Sequence, residues 1–123
     1  MQKNILLIED DITVAESIEY TLKNAGYSVE TTISGLAGVE RALKTHPDLI
    51  IADIILPDIN GADMIAKIRL DPWGETAKII VLSNVDPEQI NYKLSHLNVL
   101  QYLLKVENTL DQIAKDVDKI LKH

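Results

Sequence analysis

The sequence predicts an α/β fold, a doubly wound five-stranded parallel sheet with five helices on its two faces. Two observations predict it. Five short apolar runs alternate with segments of helical periodicity along the chain. Three of those runs, at 5–8, 49–52 and 79–82, are apolar throughout, as strands buried on both faces of a parallel sheet are.

The elements follow in order. After Ile5-Leu6-Leu7-Ile8, a first helix places Ala15, Ile18, Leu22 and Ala25 at helical spacing, with Asp11 as its N-cap and Gly26 as its stop. The second run, 27–32, alternates apolar and polar residues and is assigned to a sheet edge. Ser34 caps a second helix with Leu36, Val39 and Leu43 on one face, ended by His46-Pro47. Leu49-Ile50-Ile51-Ala52 ends at Asp53, and a third helix starts near Gly61 and buries Met64, Ile65 and Ile68. Asp71-Pro72-Trp73-Gly74 reads as a loop with an exposed tryptophan. The fourth run ends at Ser83, and Asp86-Pro87 opens a fourth helix with the stripe Ile90, Leu94, Leu97. The fifth run, 99–104, ends at Lys105. The last helix carries Leu110, Ile113, Ala114, Val117, Ile120 and Leu121, with Thr109 and Gln112 as a capping box.

Composition bounds the function. At 123 residues and 46% apolar content, the whole chain, 1–123, reads as one domain with one core. The absence of cysteine excludes disulfides and thiolate metal sites and fits a cytoplasmic protein. A formal net charge of −7 argues against direct nucleic-acid or anionic-membrane binding. The apolar runs are too short to span a bilayer, and the N-terminal residues do not form a signal peptide. His46, His96 and His123 are too scattered to suggest a site.

The informative residues stand just after the apolar runs. Glu9 and Asp10 follow the first, Asp53 the third, Ser83 closes the fourth and Lys105 follows the fifth. Parallel strands end on one edge of their sheet, and ligands of open α/β sheets bind in the crevice there. Four strands thus bring acids, a hydroxyl and a cation to one place. Clustered carboxylates repel unless a cation neutralises them, and Mg²⁺ is the natural choice because it takes oxygen ligands and keeps waters and phosphate oxygens. A carboxylate can attack phosphorus and form an acyl phosphate, while a metal ion, a lysine and a hydroxyl stabilise the transferring group.

Four segments carry a resemblance: Leu7-Ile8-Glu9-Asp10-Asp11, Asp53-Ile54-Ile55-Leu56-Pro57-Asp58-Ile59-Asn60-Gly61, Val81-Leu82-Ser83 and Tyr102-Leu103-Leu104-Lys105. In order and spacing the chain resembles the CheY-like response-regulator receiver domain over essentially its whole length. The resemblance implies a flavodoxin-like sheet of order 2-1-3-4-5. It implies that Asp53 takes a phosphoryl group from the phosphohistidine of a histidine kinase or phosphotransfer protein. Asp10, Asp53 and the Ile55 carbonyl would ligate Mg²⁺, and Glu9 would act through a metal-bound water. Ser83 and Lys105 would contact the phosphoryl group. Tyr102 would be an aromatic switch behind Ser83, and signal would leave through helix four, strand five and helix five to a downstream protein. Self-association through that face is left open. The domain would be a signalling switch, not a metabolic enzyme.

Three positions depart from the family's usual pattern. Val106 follows the lysine where proline is usual, and a cis bond before valine would cost about 2.5–4 kcal/mol, so the geometry of that turn is open. Asn84 replaces a small residue and could narrow access to the phosphoryl group. Asn98 replaces a glycine, a mild change because asparagine tolerates left-handed backbone. Ile55 and Val85 stand where many relatives are polar, and they predict a long-lived phosphorylated form. The competing readings are a phosphate-independent interaction module, a phosphohydrolase and a nucleotide- or flavin-binding domain. Ile55 argues against the phosphohydrolase, whose second acid would occupy its position. No glycine-rich loop follows the first strand to support the last.

Overall fold

The all-apolar runs become the centre of the sheet. A computed structural model, which describes residues 2–122, contains β1 (Asn4–Ile8), α1 (Ile12–Asn24), β2 (Ser28–Thr32), α2 (Gly35–Thr45), β3 (Leu49–Ala52), α3 (Gly61–Leu70), β4 (Ile79–Ser83), α4 (Pro87–Leu94), β5 (Gln101–Leu104) and α5 (Leu110–Leu121). Short 3-10 turns lie at Gly74–Thr76 and Lys105–Glu107. The strands form one five-stranded sheet in the order β2-β1-β3-β4-β5, with all neighbours parallel. The predicted fold class, strand order and edge position of β2 hold.

Side chains alternate across the sheet, so β1, β3 and β4 each feed two cores. Leu6, Ile8, Ile50, Ala52, Ile79 and Val81 pack with residues of α2, α3 and α4. Ile5, Leu7, Leu49, Ile51, Ile80 and Leu82 pack with residues of α1 and α5. Burial of both faces accounts for the unbroken apolar runs.

The helix ends follow the sequence signals closely. Asp11 accepts from the Val14 N–H, Ser34 from the Ala37 N–H and Asp86 from the Glu88 N–H, with Pro87 in the first turn of α4. Gly26, just beyond α1, takes φ 101°, a left-handed conformation that costs glycine little.

Several local expectations are corrected. Leu36 is 52% exposed, while α2 buries Gly35, Gly38 and Ala42 and only half-buries Val39 and Leu43. The reason is close approach: a Cβ on Gly38 would lie 2.6 Å from Ile8 Cδ1, so the small face of the helix meets the sheet. β5 begins at Gln101 rather than Val99, because Asn98 turns left-handed at φ 56° and Leu100 points outward. Leu97 is buried but lies beyond the end of α4. The capping box at α5 is half formed: Thr109 accepts from the Gln112 N–H, but the Gln112 amide turns to Asp116. Leu110 is 40% exposed, and α5 buries Ile113, Val117 and Leu121. Trp73 lies in the predicted loop but is half-buried rather than exposed. It packs partly against the core and stacks on His46 with ring centroids 4.6 Å apart.

Candidate functional site

The C-terminal edge of the sheet gathers the predicted residues. Asp53 directly follows β3 and is 7% exposed. Its Oδ1 accepts from the N–H of Ile54 at 2.6 Å and of Ile55 at 3.3 Å, which fixes the carboxylate plane. Its Oδ2 accepts from Lys105 Nζ at 2.7 Å. Glu9 directly follows β1 and is 2% exposed. Its Oε1 lies 2.5 Å from the same ammonium, and its Oε2 accepts from the Asp11 N–H at 3.1 Å. Lys105 is therefore shared by two buried acids delivered by different strands.

Burial pushes the Glu9 carboxyl above the usual carboxylate range, and Lys105 pulls only part of that back. Burial also pushes the Lys105 ammonium down, but its hydrogen bonds to Asp53 and Glu9 outweigh this and hold it above the ordinary lysine value. Asp10 is exposed at the rim. Carboxylate oxygens of Glu9, Asp10 and Asp53 all lie within 4.8 Å of one another. Three carboxylates against one ammonium leave excess negative charge. A hard divalent cation suits such an all-oxygen set with one member open to water.

Ser83 closes β4 and is 1% exposed. Its Oγ accepts from the Val85 N–H at 3.3 Å, so the hydroxyl shapes its own turn as well as lining the site. Asp53, Ile55, Ser83, Val85 and Lys105 all border one cavity of about 440 Å³. Ile55 is 67% exposed at its mouth. The Tyr102 hydroxyl donates to the Val85 carbonyl at 2.7 Å, which ties β5 to the loop after Ser83.

Structure also supplies what pattern reading missed. The Asp58 carboxylate accepts from the N–H groups of Gly35 at 2.8 Å and Leu36 at 3.0 Å, so the loop after Asp53 caps α2. Asn84 Oδ1 accepts from the Val106 N–H at 3.1 Å. Asparagine and aspartate suit caps and turns, but partners 22 and 23 residues away leave no local sequence signal. Among the described residues no peptide bond is cis, so the bond between Lys105 and Val106 is trans.

Comparison with known proteins agrees with this arrangement. The response regulator receiver domain family model matches residues 5–118. The probable transcriptional regulatory protein SilR of Salmonella typhimurium is 35% identical over 101 residues, 82% of this chain and 43% of that protein. The DNA-binding dual master transcriptional regulator RpaA of Synechocystis sp. is 34% identical over 113 residues, 90% of this chain and 46% of its own length. The chain thus spans less than half of these relatives. A putative response regulator from Chloroflexus aurantiacus superposes with TM-score 0.89 at 28% identity, covering 100% of both chains. The phosphorylated cyanobacterial phytochrome response regulator RcpA superposes with TM-score 0.84 at 28% identity over 97% of this chain and 93% of its own. Strand order, the acids on the strand ends, the lysine they share and the family match over residues 5–118 agree: the chain belongs to the response regulator receiver domain family of two-component signalling.

Proposed function

We propose that this domain is a phosphoacceptor switch in which Asp53 takes a phosphoryl group from a phosphohistidine. The observation that carries the reading is the shared Lys105 ammonium, 2.7 Å from Asp53 and 2.5 Å from Glu9, beside a third carboxylate in the same cluster. Asp53 Oδ2, on the lysine side of the carboxylate, attacks phosphorus, and the phosphorus–nitrogen bond of the donor breaks. The product is an aspartyl phosphate and a free imidazole, which takes up a proton. Backbone N–H groups of Ile54 and Ile55 hold Oδ1 still during the attack. As the group transfers, Lys105 shifts its contact from carboxylate to phosphoryl oxygen, and Ser83 Oγ exchanges its backbone bond for one to the same group.

Asp10, Asp53 and the Ile55 carbonyl would hold Mg²⁺, with Glu9 acting through a water. Bound there, the ion would neutralise charge on the transferring group. Turning of Ser83 frees the Val85 N–H, and Val85 is the residue whose carbonyl holds Tyr102. That link gives the α4–β5–α5 face a route to report phosphorylation to a protein partner. The domain serves as a cytoplasmic signalling module that catalyses only its own modification.

Beryllofluoride with Mg²⁺ tests the reading by amide NMR. Shifts centred on Asp53, Ser83 and Tyr102, absent in Asp53→Asn, are expected. No response in the wild type would favour a phosphate-independent interaction module.

A further inference from the structure

The segment after β5 has little to hold it. Lys105–Glu107 is a single 3-10 turn, and Val106 is 78% exposed, so apolar packing does not fix its backbone. Yet this turn starts at the lysine on which two acids converge. A lysine side chain has four rotatable bonds, and its aim is set by where its backbone is pinned.

Two amide side chains do the pinning. On one side, Asn108 Nδ2 donates to the Leu104 carbonyl at 2.8 Å, a local bond. On the other, Asn84 Oδ1 accepts from the Val106 N–H at 3.1 Å, from a different loop. Asn84 immediately follows Ser83, so one residue ties the loop carrying the hydroxyl to the turn carrying the ammonium. Asn84 is itself exposed and borders the same cavity as Asp53 and Lys105.

We propose that Asn84 is a positioning residue for phosphoryl transfer: by holding the Val106 backbone it aims Lys105 at Asp53. The role rests on Asp53 being the acceptor. It differs from a role in limiting donor access. An access-limiting side chain speeds the reaction when removed, whereas a positioning one slows it. The role also depends on one atom of its partner, the Val106 N–H, which proline lacks.

The test is a double-mutant cycle on the rate of phosphorylation by acetyl phosphate with Mg²⁺, read by intact mass. Asn84→Ala is expected to slow the reaction about fivefold, the usual worth of one hydrogen bond. In a Val106→Pro background the same substitution is expected to change nothing, because the donor is already gone. Amide hydrogen exchange at Val106 should accelerate in Asn84→Ala and remain slow in Asn84→Asp, which keeps the acceptor. A rate for Asn84→Ala equal to or above wild type overturns the role, as does equal slowing in both backgrounds. Absence of any adduct on the wild type overturns the proposed function, and this role with it. An adduct that forms at the same rate on wild type and Asn84→Ala overturns this role alone.

Discussion

Lys105 reaches Asp53 across fifty-two positions of sequence, with Nζ 2.7 Å from Oδ2, and the same ammonium lies 2.5 Å from Glu9. Two buried carboxylates in one pocket are tolerable because one cation serves both. Replacement of Lys105 by Met should slow phosphorylation by about 10²-fold, the usual cost of losing one preorganised group that stabilises transferring charge. It should also make folding more dependent on Mg²⁺, since a bound divalent ion would then have to neutralise the acids without the ammonium. Phosphorylation rates and thermal melts with and without Mg²⁺ check both effects. A rate close to wild type would remove Lys105 from the mechanism.

Gly61 packs directly against the backbone of the loop that carries Asp53. A Cβ there would lie 2.4 Å from the Asp53 carbonyl oxygen and 2.6 Å from Ile54 Cα, and the Gly61 N–H donates to the Ile54 carbonyl at 2.7 Å. Gly61→Ala is expected to cost about 1–3 kcal/mol, as overpacking against backbone does, and to displace Asp53 from Lys105. Denaturant unfolding reads the first effect, and the phosphorylation rate reads the second.

Asp58 links the site to α2 and sets a pH dependence. Its hydrogen bond from the Leu36 N–H, joined by that from Gly35, holds its carboxyl below the usual range. A carboxyl depressed in the folded state adds stability above its unfolded pKa, and loses it as pH falls through the folded one. Asp58→Asn should therefore lower the melting temperature at neutral pH and matter progressively less toward the acid end. An equal effect at all pH values would assign the contribution to shape rather than charge.

Ile55 and Val85 border the pocket with side chains that cannot orient a water. The aspartyl phosphate is expected to persist after the donor is removed, and polar replacements at both positions should shorten its life. Phosphate release over time measures this. Rapid loss that the replacements leave unchanged would show that these side chains do not set the lifetime.

Much of this was legible in the residues. Continuous apolar runs marked β1, β3 and β4 because both sheet faces are covered, and the strand-end acids and lysine met as parallel topology requires. Strand edges and helix faces were less legible. Leu36 looked like core by its spacing, yet Gly38 allows α2 to approach β1 on its small-residue side. Val99 and Leu100 looked like strand by composition, yet the left-handed Asn98 delays the entry of β5. The bonds of Asp58 to α2 and of Asn84 to Val106 join loops distant in sequence and exist only once the sheet has formed.

The most direct test of the central claim is intact-mass spectrometry after incubation with acetyl phosphate and Mg²⁺. The account predicts one added phosphoryl group on the wild type, none when Mg²⁺ is chelated and none on Asp53→Asn. A wild type that stays unmodified, or an Asp53→Asn protein that gains the group, would contradict it.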